Sequence, residues 1–354
     1  MINRRSFIQN SAVVVAGTSV LGFNPVDDSL LASDCLSFDF HCHPGLFPTK
    51  GSPEFAGDHI ITRTLMEMKT GQLTGAFFSL VADMKLIKAG PDGVKPVRSY
   101  EADEAWAEYA RQLKIVKEII QHASLKLASQ KNDLSNAFKE KTTAAFLSCE
   151  GGDFLEGKLE RIDRMYEDGV RSIQLVHYHP SELGDLQTEP PQHHGLSAFG
   201  KESVRRMNKL KMIIDVAHAS FETTKQVADL TDSPIILSHS ILQVAGTRQI
   251  SKRAISIEHA KAVAKTGGVI GAWPSGFNTS FDDFIDNTLR MVDEIGVDHV
   301  GLGTDMDGNF KPVLNSYLQL PQWIKALKEK GLNEDELRKV AGGNANRILT
   351  QVLA

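Results

Sequence analysis

Two patterns in this 354-residue sequence predict an α/β fold of the (β/α)8, or TIM, barrel type. From about residue 37 onward, short runs rich in apolar and β-branched residues alternate with amphipathic stretches of helical period, the mark of repeated strand-helix units. The runs number eight, at 37–43, 75–82, 143–150, 170–177, 212–218, 235–239, 268–273 and 300–305, and eight parallel strands close such a barrel. A third observation narrows the type to a metal-dependent hydrolase. Histidines and acidic residues stand at the ends of successive runs, on the rim where barrels of this kind assemble their sites.

Taken in chain order, the first segment is not part of the barrel. Arg4-Arg5-Ser6-Phe7-Ile8 precedes an uncharged apolar stretch over 12–23, which predicts a twin-arginine-type signal over residues 1–33 and export to a bacterial periplasm. That stretch is shorter than the roughly 20 apolar residues a bilayer span needs. An uncleaved N-terminal anchor is the alternative, since no clean small-x-small cleavage site precedes Asp34. Residues 34–354 then read as one barrel domain without tandem repeats, low-complexity tracts or a Pro/Ser linker.

Helical period places helices at 99–129, 158–167, 200–210, 221–230, 257–265, 281–295, 320–330 and 333–353, several opened by a Ser or Asp suited to capping. The longest irregular insertion, 178–198, follows the fourth run and is rich in Pro, His and Gly; a second, 240–253, follows the sixth. With 42% hydrophobic and 23% charged residues and a net charge of −5, the composition is that of a globular protein without a basic surface for nucleic acid. The cysteines number three, an odd count without disulfide or zinc-site spacing, and Cys42 and Cys149 read as small buried apolar residues.

The run ends carry the chemistry. In Asp39-Phe40-His41-Cys42-His43, residues two apart share a strand face, so His41 and His43 can hold one ion together while Cys42 faces away. The third run ends Glu150-Gly151-Gly152, a carboxylate at a turn of little bulk, as a group bridging two cations requires. The fifth and sixth runs bring His218 and His239 to the same rim. The eighth brings Asp305, positioned to take a proton from a metal-activated water and deliver it to a leaving amine, whereas Asp307 reads as a cap on the turn at Gly308. Two ions about 3.5–4 Å apart, bridged by a carboxylate and a hydroxide, suit this donor set. Nitrogen and oxygen donors without thiolate favour zinc, with manganese or cobalt as alternatives.

In these residues the chain resembles the membrane dipeptidase, or renal dipeptidase-like, zinc metallopeptidases of the amidohydrolase-type barrels. The motifs that carry the resemblance span nearly all of 37–353 and lie in order at 39–43, 149–152, 175–177, 195–200, 213–220, 238–240, 301–308 and 342–347. The resemblance implies hydrolysis of dipeptides, some with a C-terminal D-residue, and chains that often pair as homodimers. It implies His41 and His43 on a first zinc ion, Glu150 bridging, His218 and His239 on a second, and Asp305 as proton shuttle. It further implies that His177 touches the substrate near the scissile carbonyl and that Arg248 pairs with the substrate carboxylate, with His179 and Arg253 as the nearby alternatives. The family usually has His-x-Asp where this chain has His41-Cys42-His43, and its arginine loop is longer by a couple of residues.

Two other functions stay open on the sequence. One is a related amidohydrolase acting on an N-acyl amino acid, lactam or lactone, for which His43 is the main support. The other is a secreted binding homologue without catalysis, which would be marked by a missing ligand or acid.

Overall fold

The computed structural model describes residues 35–90, 93–243 and 252–354. The expected signal segment and Arg248 lie outside the described residues.

Strand β1 (Phe38–Cys42) leads through a 3-10 segment, Pro44–Thr49, into α1 (Asp58–Thr70). After β2 (Gly75–Val81) come an antiparallel hairpin, β3 (Ile87–Gly90) and β4 (Gly93–Pro96), then α2 (Glu104–His122), β5 (Lys126–Ala128) and α3 (Asp133–Glu140). The repeat continues with β6 (Ala144–Glu150), α4 (Glu160–Glu167), β7 (Val170–Gln174), α5 (Ala198–Leu210), β8 (Ile213–Asp215), α6 (Phe221–Leu230) and β9 (Ile236–Leu242). Next are β10 (Ala254–Ile255), α7 (Ile257–Lys265), β11 (Val269–Ala272), α8 (Phe281–Ile295) and β12 (Val300–Leu302). Helices α9 (Leu320–Glu329) and α10 (Glu334–Arg338), a π turn (Lys339–Gly343) and α11 (Asn344–Val352) end the chain.

Strands β1, β2, β6, β7, β8, β9, β11 and β12 pair in parallel in that order, and Asp39 opposite Leu302 joins β12 back to β1, so the sheet closes. Seven of them lie within the predicted runs, and β9 runs on past the expected end at His239 to Leu242. The short β5 and β10 add to β6 and β9. Four helices, α5 to α8, begin on Ser197, Ser220, Ser256 and Ser280, each accepting a hydrogen bond from the amide three residues on.

Three strands end well before hydropathy suggests. Strands β7, β8 and β12 stop at Gln174, Asp215 and Leu302, so His177, His218 and Asp305 sit on the turns that follow. The helix expected over 99–129 ends at His122, where Ser124 adopts a φ of 54° and the chain enters β5. The last helix is divided into α10, the π turn and α11.

Bulges decide what points inward. Phe38 packs edge to face on Phe77 and Phe146, with centroids 5.3 and 6.0 Å apart, and on Phe40 at 5.2 Å. These four rings plug the lower barrel, and the same apolar cluster reaches α3 at Leu134 and α11 at Ile348. Strict alternation from inward Phe38 and Phe40 would send His41 and His43 out of the barrel. Instead β1 spends three residues, Asp39 to Cys42, against two of β2, Ala76 to Phe78. The extra residue flips the phase, so the phenyl rings and both imidazoles face inward. Strand β9 repeats the device, running from Leu237 to Ser240 against Ile270 to Ala272 of β11. The bulge turns the Ser238 carbonyl toward Gly271 and Gly303, where a Cβ would lie 1.9 Å from that oxygen, so only glycine fits.

Asp39, on the outer side of β1, closes the seam between the first and last strands. Its buried carboxylate accepts from the Thr304 amide at 2.9 Å, the Thr304 hydroxyl, the Tyr317 hydroxyl at 2.7 Å and the His41 amide at 3.1 Å. Asp39→Ala strands these donors away from water and is expected to destabilise the fold by on the order of 3 kcal/mol. The check is a urea titration in which the midpoint falls and the slope is unchanged.

Candidate metal centre

The upper barrel gathers the imidazoles around one carboxylate. Glu150 ends β6, and Gly151 with φ 90° lets the chain turn away immediately. Its Oε1 lies 3.3 Å from Nε2 of His41, 3.3 Å from His177, 3.4 Å from His218 and 3.8 Å from His239. Its Oε2 lies 3.2 Å from Nε2 of His43, which is 3.5 Å from Asp305 Oδ1. His41 and His43 approach to 3.1 Å through their Nε2 atoms, and His218 and His239 to 3.0 Å. All these side chains are buried, Asp305 being the most accessible at 9%.

Backbone strain sits where the donors are. His218 and Asp305 adopt φ of 65° and 54°, a region that residues with a Cβ seldom occupy. Asp305 is held there because its amide donates to the His41 carbonyl at 2.9 Å and its own carbonyl accepts from Gly308 at 3.0 Å.

The far nitrogens of four of the five rings are tethered, whereas that of His218 is buried without a hydrogen-bond partner. His43 Nδ1 donates to the Ser79 carbonyl at 2.8 Å, which fixes its tautomer and leaves Nε2 facing the centre. His41 Nδ1 is 3.2 Å from the Ser79 hydroxyl, and His239 Nδ1 is 3.0 Å from that of Ser238. His177 Nδ1 is 2.6 Å from Asp83.

The electrostatics suit cation binding. Burial would raise the Glu150 carboxyl, but His177 and His41 hold it well below the usual range, so it is an anion at neutral pH. Burial, with nearby cationic groups, pushes His218 and His239 well below the ordinary imidazole value, keeping them neutral with free lone pairs. For His43 burial acts downward, yet Asp305 and Glu150 outweigh it and raise the ring to about 10. A cation entering this centre would therefore displace a proton. Nε2 atoms directed at one another around a carboxylate, with all but one of their other nitrogens tied back, form a donor set that fits one or more cations. Three groups could each hold an ion: His41, His43 and Asp305; His41, Glu150 and His239; and Glu150, His177 and His218.

Every described residue expected at the site is therefore brought together. His177 rather than His179 reaches the centre, since His179 turns its Nδ1 to Asp153 at 2.7 Å. Asp307 does not cap the turn at Gly308. It accepts from the Gly45 amide and the Thr64 hydroxyl, each at 2.6 Å, and so ties the loop after β1 to α1. Arg253 is buried beside the centre, its guanidinium 5.4 Å from the Trp273 ring and hydrogen-bonded to Tyr178 and Gln187. Sequence reasoning missed Ser79, Asp83, Tyr178 and Trp273. Asp83 and Trp273 also stand at run ends, the signal that found the histidines.

Solved structures share this architecture at identities that speak for the fold. The probable dipeptidase PvdM from Pseudomonas aeruginosa aligns with a TM-score of 0.75 at 21% identity, covering 92% of this chain and 97% of that one. A metallo peptidase from Rhodobacter sphaeroides, liganded with a phosphinate mimic of the dipeptide L-Ala-D-Ala, aligns at 0.72 and 21% identity over 89% of this chain and 99% of that one. In sequence, the dipeptidase tcpJ of Claviceps purpurea (strain 20.1) is 25% identical over 329 residues, 89% of this chain and 73% of that protein. The dipeptidase aclJ of Aspergillus oryzae (strain ATCC 42149 / RIB 40) is 30% identical over 220 residues, 59% of this chain and 51% of that protein. The model of the membrane dipeptidase family, peptidase family M19, matches residues 30–354, and the chain belongs to that family.

Proposed function

We propose that this protein is a zinc-dependent dipeptidase with two ions per chain, in which His41, His43, Glu150, His218 and His239 are the ligands. The observation that carries the reading is the convergence of these donors on Glu150 with Asp305 beside them. When bound, the ions acidify a water and polarise the scissile carbonyl. Glu150 lies between the two His pairs, as a bridging carboxylate must. Asp305 takes the proton of the attacking water and carries it to the leaving amine. His177 turns Nε2 toward the centre, 3.3 Å from Glu150, and so lines the place of the scissile carbonyl.

The substrate's C-terminal carboxylate falls to Arg253, the weaker alternative on sequence grounds, because its guanidinium is buried beside the centre. Burial lowers its ordinary pKa while Tyr178, Glu150 and Asp305 act in the other direction. A fixed buried guanidinium is a planar fork for a carboxylate. A D-residue on the C-terminal side is supported by the mimic bound to the Rhodobacter sphaeroides neighbour. Export to the periplasm is supported by Arg4-Arg5 and the apolar stretch after them; no helix among the described residues is long and apolar enough to cross a membrane.

His43 favours a second reading, hydrolysis of an N-acyl amino acid, lactam or lactone. No cleavage across L,L and L,D dipeptides beside robust turnover of one of these substrates would replace the first reading with the second.

Asp305→Asn is expected to keep its metal, read by elemental analysis, and to lose about 10²–10⁴-fold in kcat on a dipeptide; full activity in that variant would refute the mechanism. A chelator should abolish hydrolysis and lower the melting temperature, both restored by added zinc. Arg253→Ala should lower kcat/KM roughly ten- to hundredfold, mostly through KM, and the loss should vanish for a substrate amidated at its C-terminus.

A further inference from the structure

We propose that Asp83, just beyond β2, is a positioning residue that sets two walls of the substrate pocket through His177 and Tyr178. The proposal rests on the dipeptidase reading for its kinetics but not for its geometry.

Asp83 is fully buried, and its two oxygens do different work. Oδ1 accepts Nδ1–H of His177 at 2.6 Å. Oδ2 accepts the amides of Tyr178 at 3.0 Å and His179 at 2.9 Å. The residue is rigidly mounted, because the Ala82 amide donates to the Glu150 carbonyl at 2.8 Å and the Leu86 amide to the Asp83 carbonyl at 2.8 Å. The same strand end thus anchors Glu150 and the chain that follows β7.

The first contact fixes an imidazole. With Nδ1–H committed to the carboxylate, the ring keeps Nε2 toward the centre, 3.3 Å from Glu150, and the charged acceptor strengthens that bond. The second fixes a backbone. Both amides point at one oxygen, which sets the path that lays the Tyr178 ring edge to face on His218, with centroids 4.8 Å apart, and brings its hydroxyl to Arg253. One side chain therefore couples the group facing the scissile carbonyl to the group facing the terminal carboxylate.

Asp83→Asn separates the two contacts. Its single carbonyl oxygen can still serve the two amides, and its NH2 then faces His177 and needs Nδ1 as an acceptor, so the ring proton moves to Nε2. In zinc-loaded protein assayed on a dipeptide, this variant should lose about ten- to hundredfold in kcat, with KM changed less than about threefold and metal content and melting temperature unchanged. In a His177→Gln background the same change should cost less than about twofold, because the ring it acts through is gone. Asp83→Ala, which also frees the backbone, should raise KM as well. An equal loss from Asp83→Asn in both backgrounds, or no loss in the parent, would overturn the proposal.

Long-range nitrogen-proton NMR, assigned with the His177→Gln variant, tests the geometry without activity. The His177 signal should show a proton on Nδ1 in the parent and lose it in Asp83→Asn. A parent ring protonated on Nε2 alone would also overturn the proposal, even where a variant fails to fold. A metal-loaded parent inactive on every dipeptide would remove the dipeptidase reading and leave the NMR result to decide on Asp83.

Discussion

One buried carboxylate organises the upper half of this barrel. Glu150 stands within 3.8 Å of five imidazole nitrogens, delivered from four places in the chain. Rings whose Nε2 atoms approach to 3.0 and 3.1 Å are stabilised by an anion where they share a proton and by a cation where they turn lone pairs on one another. The carboxylate supplies the first, and the donor set is shaped for the second. Other features follow from that need. The bulges in β1 and β9 direct rings inward, left-handed turns at His218 and Asp305 bring donors back over the mouth, and tethers on the far nitrogens of His43 and His239 stop those rings from rotating.

The sequence made the architecture legible because alternation at eight places is a coarse pattern that survives local irregularity. It made the donors legible because a barrel collects its strand ends on one rim, so His41, His43, Glu150, His218, His239 and Asp305 needed only to be found at the right ends. What it hid is fine geometry. Counting by twos from His41 to His43 placed both rings correctly, yet the same counting would have put Phe40 outside; the bulge that reconciles them leaves no mark in hydropathy. Asp307 looked like a turn cap since Asp-Gly is a turn pair, but its partners Gly45 and Thr64 lie far away in sequence. The choice between Arg248 and Arg253 turned on a loop length, and only Arg253 lies among the described residues. Asp83 stands just past a run end but was passed over for another reason: a carboxylate that acts through a histidine has no spacing of its own.

His43 stands where the resemblance drawn from the sequence places a carboxylate. An imidazole there leaves Glu150 as the one anion among the proposed ligands, with Asp305 beside it. That change makes Asp305 more consequential here, because it shares His43 as a neighbour at 3.5 Å and supplies the nearest second negative charge. A bound cation is then a stronger electron acceptor and is less tightly neutralised by the protein.

The four phenyl rings beneath the site also shape traffic. Phe38, Phe40, Phe77 and Phe146 fill the lower barrel, and α11 lies in the same apolar cluster below them, so the floor offers water and solutes no polar path. Among the described residues the lower end is thus closed by apolar packing, and exchange with solvent falls to the upper rim. Substrate and product then share the upper rim, where Tyr178, after β7, and Arg253, before β10, meet. Evolution of a new diet would begin with those doorposts, leaving the furnace behind them untouched.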